Sequence, residues 1–428
     1  MDQWRDLKRS MKILLLAPYP PYPPRGGGTM RIYQMIRGLA QRHTLTCLTF
    51  APDAAAERAL APLRDLCRVV SVRGPAPRSV LRRAWATLAS PFPDMALRNA
   101  SPAFRAALHD LVAREQFDVV QAESIEMAPY LADLSHSDGA PPAHRPWLLL
   151  DQFNAEYVLQ KRAALTDLRV ALTLSHPVRR GAGGVYSLIQ WLKLAHYERD
   201  VMRKCDVTIV VSEEDRRALE RIGGTRFAVV PNGVDTTFFS RAALARDHRA
   251  PLSFAAPTLV FSGTLDFRPN VDALTWFVDA VLPQIHTRRP DVRLLAVGKR
   301  PAPVVRRLAG HGRLVLTGEV ADVRPYLAGA TVYVVPMRIG GGIRLKVLEA
   351  FALEAPVVST LLGVEGIVGL RDGIHCLLAD TPQQFAGAIL RLLDDPATRR
   401  ELGAAGRELA RAGYDWETII PRLEAAYR

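Results

Sequence analysis

Thirteen short runs rich in Val, Ile and Leu punctuate the chain, and stretches with apolar residues at helical spacing separate many of them. The runs fall at 12–17, 44–50, 68–72, 117–122, 147–151, 206–212, 227–230, 258–262, 292–297, 313–317, 331–336, 356–359 and 375–378. They are nearly continuous rather than alternating, which is the pattern of strands buried on both faces of a parallel sheet. Helical spacing at 30–41, 272–285 and 384–393 supplies covering layers. Strand and helix in turn predict an α/β fold with doubly wound sheets. The pattern restarts once, after the turn-rich PNGVDTTFF and an Arg-rich segment without clear period. Two such α/β domains are therefore expected, residues 1–238 and 239–412, followed by residues 413–428. The first domain carries a long helical insertion at 155–204. Ligands of such sheets bind beyond the carboxyl ends of the strands, so two facing domains predict a site in the cleft between them.

Composition narrows the classes. The length of 428 residues suits two or three domains, and 49% apolar with 23% charged residues excludes wholesale disorder. Four cysteines lie far apart, without metal-ligand or redox spacing, which points to reduced thiols in a cytoplasmic protein. The net charge is +13, but only seven of the 56 basic residues are lysines, and no run is long enough for a basic tail. Nucleic acid is not the expected partner; an anionic substrate or membrane surface fits the charge better. Residues 78–98 and 161–204 mix Arg and Lys with Trp85, Tyr186 and Trp191, so peripheral contact with an anionic membrane competes with an ordinary solvated helix face. No apolar run approaches the ~20 residues that span a bilayer. The N-terminus imitates a signal peptide, but ILLLA is short and runs into prolines, so it reads as the first strand. Met11 is an alternative start.

Each half has one glycine loop between a strand and a helix: PYPPRGGGTMRIYQM, with Gly26, Gly27 and Gly28, and VVPMRIGGGIRLKVLEAFAL, with Gly340, Gly341 and Gly342. Such loops let backbone N–H groups approach a ligand, and a helix N-terminus attracts anions. A lone GGG is more often a tight turn; two at equivalent junctions favour a phosphate or sugar site. After the second loop, Leu345, Leu348 and Ala352 form an apolar stripe, while Lys346 and Glu349 share another face. They are either a surface ion pair or a functional pair, with Lys346 and Arg344 on a diphosphate and Glu349 on ribose hydroxyls. Arg338 is a further anion contact. The chain has no HExxH, no GxSxG and no complete Walker loop, and no carboxylate cluster suggests a divalent metal.

VVPNGVDTTFF, FSGTLDFRPNVDALTWF and GGGIRLKVLEAFALEAPVVSTLLGVEGI, in this order, resemble the GT-B glycosyltransferases of family 4. With the first glycine loop, the chain is similar to a bacterial branch associated with exopolysaccharide or exosortase systems. The resemblance implies two Rossmann-like domains, a nucleotide-sugar donor held mainly by the second, retaining transfer without a catalytic metal or other cofactor, and a final helix crossing back to the first domain. Gly26–Gly28 then lie beside donor phosphates and acceptor, Gly340–Gly342 under the donor, and Glu349 on the ribose. Three segments depart from the family pattern. Gly341 stands where the first glutamate of E-x7-E is expected. Thr264 replaces an arginine, and Arg268 substitutes for a nearby lysine. DQFNAEY matches a D-x-H-N-x-E segment with Phe153 in place of histidine, which makes Phe153, Asn154 and Glu156 candidate sugar or acceptor contacts.

The expected function is glycosyl transfer from a nucleotide sugar to a hydroxyl of a glycan or lipid-linked acceptor, on the cytoplasmic side. Arg268 and Lys346 are the candidate catalytic cations, stabilising charge on the departing diphosphate. Two alternatives stay open: a degenerate sugar-nucleotide-binding partner subunit, and a nucleotide-sugar epimerase.

Overall fold

The structure, a computed structural model, describes residues 10–427 except 25, 76–77, 136–144, 174–176, 311–313 and 341, with backbone alone at 80–82, 84, 88 and 166–185. The chain divides into two compact units, Met1–Pro231 with Ile420–Arg428, and Asn232–Ile419.

The first unit holds seven strands: β1 Lys12–Ala17, β2 Thr44–Ala51, β3 Arg68–Arg73, β4 Val119–Glu123, β5 Trp147–Gln152, β6 Val207–Val210 and β7 Phe227–Val229. Their order is β3-β2-β1-β4-β5-β6-β7, all parallel. Each apolar run of the sequence is a strand because β1, β4 and β5 are covered on both faces, with Ile13 to Ala17 and Leu148 to Leu150 at zero exposure. The insertion is a pair of helices, Glu156–Thr173 and Pro177–Met202, packed along each other.

The second unit holds β8 Thr258–Ser262, β9 Arg293–Val297, β10 Leu314–Leu316, β11 Val332–Val335, β12 Val357–Ser359 and β13 Leu377–Leu378, again parallel, in the order β10-β9-β8-β11-β12-β13. The single helix expected at 272–285 is instead Arg268–Trp276, a π-helical turn at Phe277–Val281, and Leu282–Arg288. Pro283 has no N–H to continue an unbroken ladder. The apolar face of helix Leu345–Ala352 is wider than a stripe: Val347, Leu348, Ala350, Phe351 and Ala352 are all buried, and Leu345 is only partly so. In both sheets the strand order reverses beside the first strand, between β1 and β4 and between β8 and β11. Those two points, at the carboxyl ends, are where a ligand of such a sheet is expected.

Candidate active site

In the second unit, β8 ends at Ser262 and the chain turns through Gly263 and Thr264 into helix Arg268–Trp276. Beside it, the chain leaving β11 passes Gly340 and Gly342, both at positive φ, and enters helix Leu345–Ala352 with Arg344 at its cap. Gly341 lies outside the described residues. A Cβ on Gly340 would stand 2.8 Å from Arg344 Nη2, so the guanidinium lies directly on the glycine loop. Lys346 reaches across to β8: its ammonium donates to Ser262 O at 3.0 Å and Asn270 Oδ1 at 2.9 Å, and lies 4.2 Å from the centroid of Phe261. Burial, and then Arg344, hold its pKa down to about 7, against the pull of Glu349.

Glu349 receives no hydrogen bond from a described residue, and burial pushes its carboxyl up to about 7 with Lys346 opposing. The two are not an ion pair, and neither is a solvated surface charge. Two further candidates sit differently. Arg338 makes a bidentate pair with Asp272, at 2.7 and 3.0 Å, and stacks near Trp276. Arg268 is exposed at the start of its helix.

In the first unit, only Gly26 precedes the helix; Gly27 and Gly28 are its first residues. Thr29 replaces a longer loop, its hydroxyl accepting from Gly26 N at 2.9 Å and donating to Gly26 O at 2.8 Å. A Cβ on Gly28 would lie 2.0 Å from Tyr19 Oη and 3.1 Å from Phe153, so this helix start is pressed against two aromatic rings. Phe153 follows β5 and is half-buried, and Asn154 donates to Glu156 at 3.3 Å. Burial pushes Glu156 up to about 7, while the Asn154 bond opposes it. Glu198 closes the helix start below, accepting from the Glu156 and Tyr157 amides.

Beneath this surface lies an ionic network. Arg31 pairs with Asp151 through Nε at 2.7 Å and Nη2 at 2.8 Å, both side chains fully buried, and Arg31 also donates to Val230 O and Pro231 O. Tyr427 donates to Gln121, which donates to Glu123 at 2.7 Å. Glu123 Oε2 is enclosed without a hydrogen-bond partner. Burial, then Asp151, push the Glu123 carboxyl well above its ordinary range. No sequence pattern singles out Tyr19, Glu123, Asp151 or Asn270, although Asp151 lies in DQFNAEY and Asn270 in FSGTLDFRPNVDALTWF; Arg31, in PYPPRGGGTMRIYQM, carries a signal, a charge on the buried face of a helix.

Comparison with known proteins decides the family. Residues 256–395 match the model for glycosyl transferases group 1, and residues 26–233 the glycosyl transferase 4-like domain. A phosphatidyl-myo-inositol mannosyltransferase of Mycobacterium tuberculosis is 31% identical over 315 residues, covering 70% of this chain and 80% of the relative. The chain is a group 1 glycosyltransferase. A second relative of this transferase, from Corynebacterium glutamicum, is named a GDP-mannose-dependent monoacylated alpha-(1-6)-phosphatidylinositol monomannoside mannosyltransferase. It is 29% identical over 247 residues, which span 53% of this chain and 62% of that protein. Among solved structures, sucrose-phosphate synthase from Thermosynechococcus elongatus superposes with a TM-score of 0.67 at 20% identity, over 98% of both chains. The glycosyltransferase thus has the GT-B fold that its motifs implied, two Rossmann-like domains, each with a parallel sheet as its strand pattern predicts. No helix among its described residues is long and apolar enough to cross a membrane.

Proposed function

We propose that the enzyme transfers a sugar from a nucleotide-sugar donor to a hydroxyl of a lipid-linked acceptor, with retention of configuration and without a bound metal. The observation that carries this reading is the unpaired Glu349 carboxylate one turn from the Lys346 ammonium, on the helix that follows the glycine loop. A nucleoside diphosphate has complementary groups: phosphates for Lys346, Arg344 and the loop amides, and a ribose diol for Glu349. Lys346, still carrying a proton, stabilises charge on the diphosphate as the sugar leaves, the role a metal takes elsewhere. Among the described residues no three His, Cys, Asp or Glu side chains gather into a metal-binding set. In the first unit, Phe153, Asn154 and Glu156 supply an aromatic wall and a carboxyl suited to sugar or acceptor hydroxyls. The name of the Corynebacterium glutamicum relative makes GDP the first nucleotide to try, and UDP the second.

Calorimetric titration tests the donor site. Hydrogen bonds from a hydroxyl pair to a charged acceptor are worth about 1.5–3 kcal/mol. Glu349→Ala should therefore bind the better nucleotide roughly 10- to 100-fold more weakly. Wild-type affinity in that variant would place the ribose elsewhere.

The acceptor is proposed to be met at an anionic membrane. Trp85 is 72% exposed, and Phe92, Leu188 and Leu192 also face solvent. Lys193 ties helix Pro177–Met202 to Thr87 O and Ser90 O, and Lys161 stacks on Trp191. Exposed aromatics among basic side chains suit a lipid interface. The protein should sediment with phosphatidylglycerol vesicles and not with phosphatidylcholine alone; equal partitioning to both would end the idea.

A further inference from the structure

Lys346 is half-buried, and its two hydrogen-bond acceptors are uncharged: a backbone carbonyl and the amide of Asn270. That amide is fixed at both ends. Asn270 is 6% exposed, its Nδ2 donates to Thr264 O at 2.9 Å, and only its Oδ1 is left for the ammonium. The space for this arrangement comes from Gly263, at φ +146°, where a Cβ would lie 2.7 Å from Asn270 Nδ2 and 3.4 Å from Lys346 Nζ. Asn270 therefore joins the turn after β8 to the helix after β11, across the point where the strand order reverses.

We infer that Asn270 is a positioning residue for Lys346, aiming the ammonium at the donor diphosphate through a neutral oxygen that leaves its charge uncompensated for the ligand. The inference rests on the donor site proposed above. An aspartate in the same place would hold the lysine equally well but neutralise it; the amide holds it without doing so. The consequence is a lysine that loses its proton easily until an anion arrives. The charged groups facing it are Arg344 and Glu349 on its own helix. From β11 comes Tyr333, which is bonded to Ser262 Oγ at 2.6 Å, while β8 presents Phe261 and Ser262 and the helix after it Asn270, none of them charged. With its pKa held down to about 7, Lys346 must take up a proton when diphosphate binds in alkaline solution.

The test is GDP and UDP titration between pH 6.5 and 8.5 on wild type, Asn270→Asp, Asn270→Ala and Asn270→Ser. Wild-type affinity should fall by up to about tenfold per pH unit above neutrality. Asn270→Asp should bind roughly tenfold more weakly at pH 6.5 but lose the pH dependence, because the carboxylate keeps the lysine charged while cancelling its field. Asn270→Ala should be weaker at pH 6.5 and begin its decline at lower pH. Asn270→Ser, the smallest change that keeps a neutral oxygen, gives the same answer if the aspartate variant does not fold, by falling between alanine and wild type. A residue with a merely structural role would shift the melting temperature and leave the pH dependence untouched. Wild-type affinity and pH dependence in every variant overturns the inference. Failure of the wild type to bind either nucleotide overturns instead the donor reading beneath it.

Discussion

Two clusters of charge stand at the carboxyl ends of the two sheets, one buried and one half-buried, and they are built on opposite plans. In the first unit, Arg31, Asp151 and Glu123 answer one another: a bidentate ion pair, two backbone carbonyls on the guanidinium, and a carboxyl that burial and Asp151 push well above its ordinary range. In the second, Lys346 and Glu349 lie on one helix face without pairing, the cation held by neutral oxygens and the carboxylate by nothing described. A charge network that closes on itself fixes a fold, whereas charges kept apart at a cost in solvation are available to a ligand. The Arg31 cluster also binds Val230 and Pro231, where the chain leaves the first unit, so it fastens that exit to the sheet.

The largest expected effect breaks the closed cluster. Asp151→Ala leaves the Arg31 guanidinium buried without its partner, and losing one member of a buried pair costs about 3–5 kcal/mol. Denaturant unfolding should show that loss in the first unit, while GDP binding to the second is unchanged. The double variant Arg31→Met, Asp151→Leu should recover most of it, since replacing a buried pair by apolar side chains is often neutral. If the single variant is as stable as wild type, the cluster is not closed in the sense argued. If the double variant is as unstable as the single one, the charges have a role beyond filling the interior.

Much of the fold was legible because parallel strands buried on both faces carry an unmistakable apolar signature. The same burial hid the chemistry. Glu349 and the glycine loops were visible because a family motif and a helical spacing marked them. Spacing alone left Lys346 either a surface partner of Glu349 or a diphosphate contact, because spacing along one helix says nothing of what a neighbouring strand offers. Ser262 O and Asn270, 84 and 76 positions away, take that ammonium instead. Arg338 looked like an anion contact from its place beside the loop, and only the fold shows Asp272 against it. Tyr19 and Gly28 meet because β1 and the first helix converge, which no local pattern in PYPPRGGG records.

The smallest expected effect sharpens the open cluster. Burial raises the Glu349 carboxyl to about 7 in the folded protein, from the ordinary 4.5. A raised carboxyl holds its proton more tightly folded than unfolded, so its favourable contribution is complete below about pH 4.5 and is lost as pH rises through 7. Glu349→Gln keeps the shape without the ionisation. It should match wild-type stability below pH 4.5 and exceed it above pH 7, where the wild-type carboxylate is charged in its half-buried site. For a unit of this size, about 1 kcal/mol corresponds to only ~2–4 °C in melting temperature, so the gain should be a few degrees. Lys346 adds the opposite trend: its lowered pKa favours the folded state most above pH 10.5, and that advantage is lost as pH falls through 7. The difference between Glu349→Gln and wild type removes most of this common background. Thermal melts at pH 4.5 and 8.5 then read Glu349 directly. A variant that is less stable than wild type at pH 8.5 would mean that the carboxylate is stabilised in place, and that the second cluster is closed like the first.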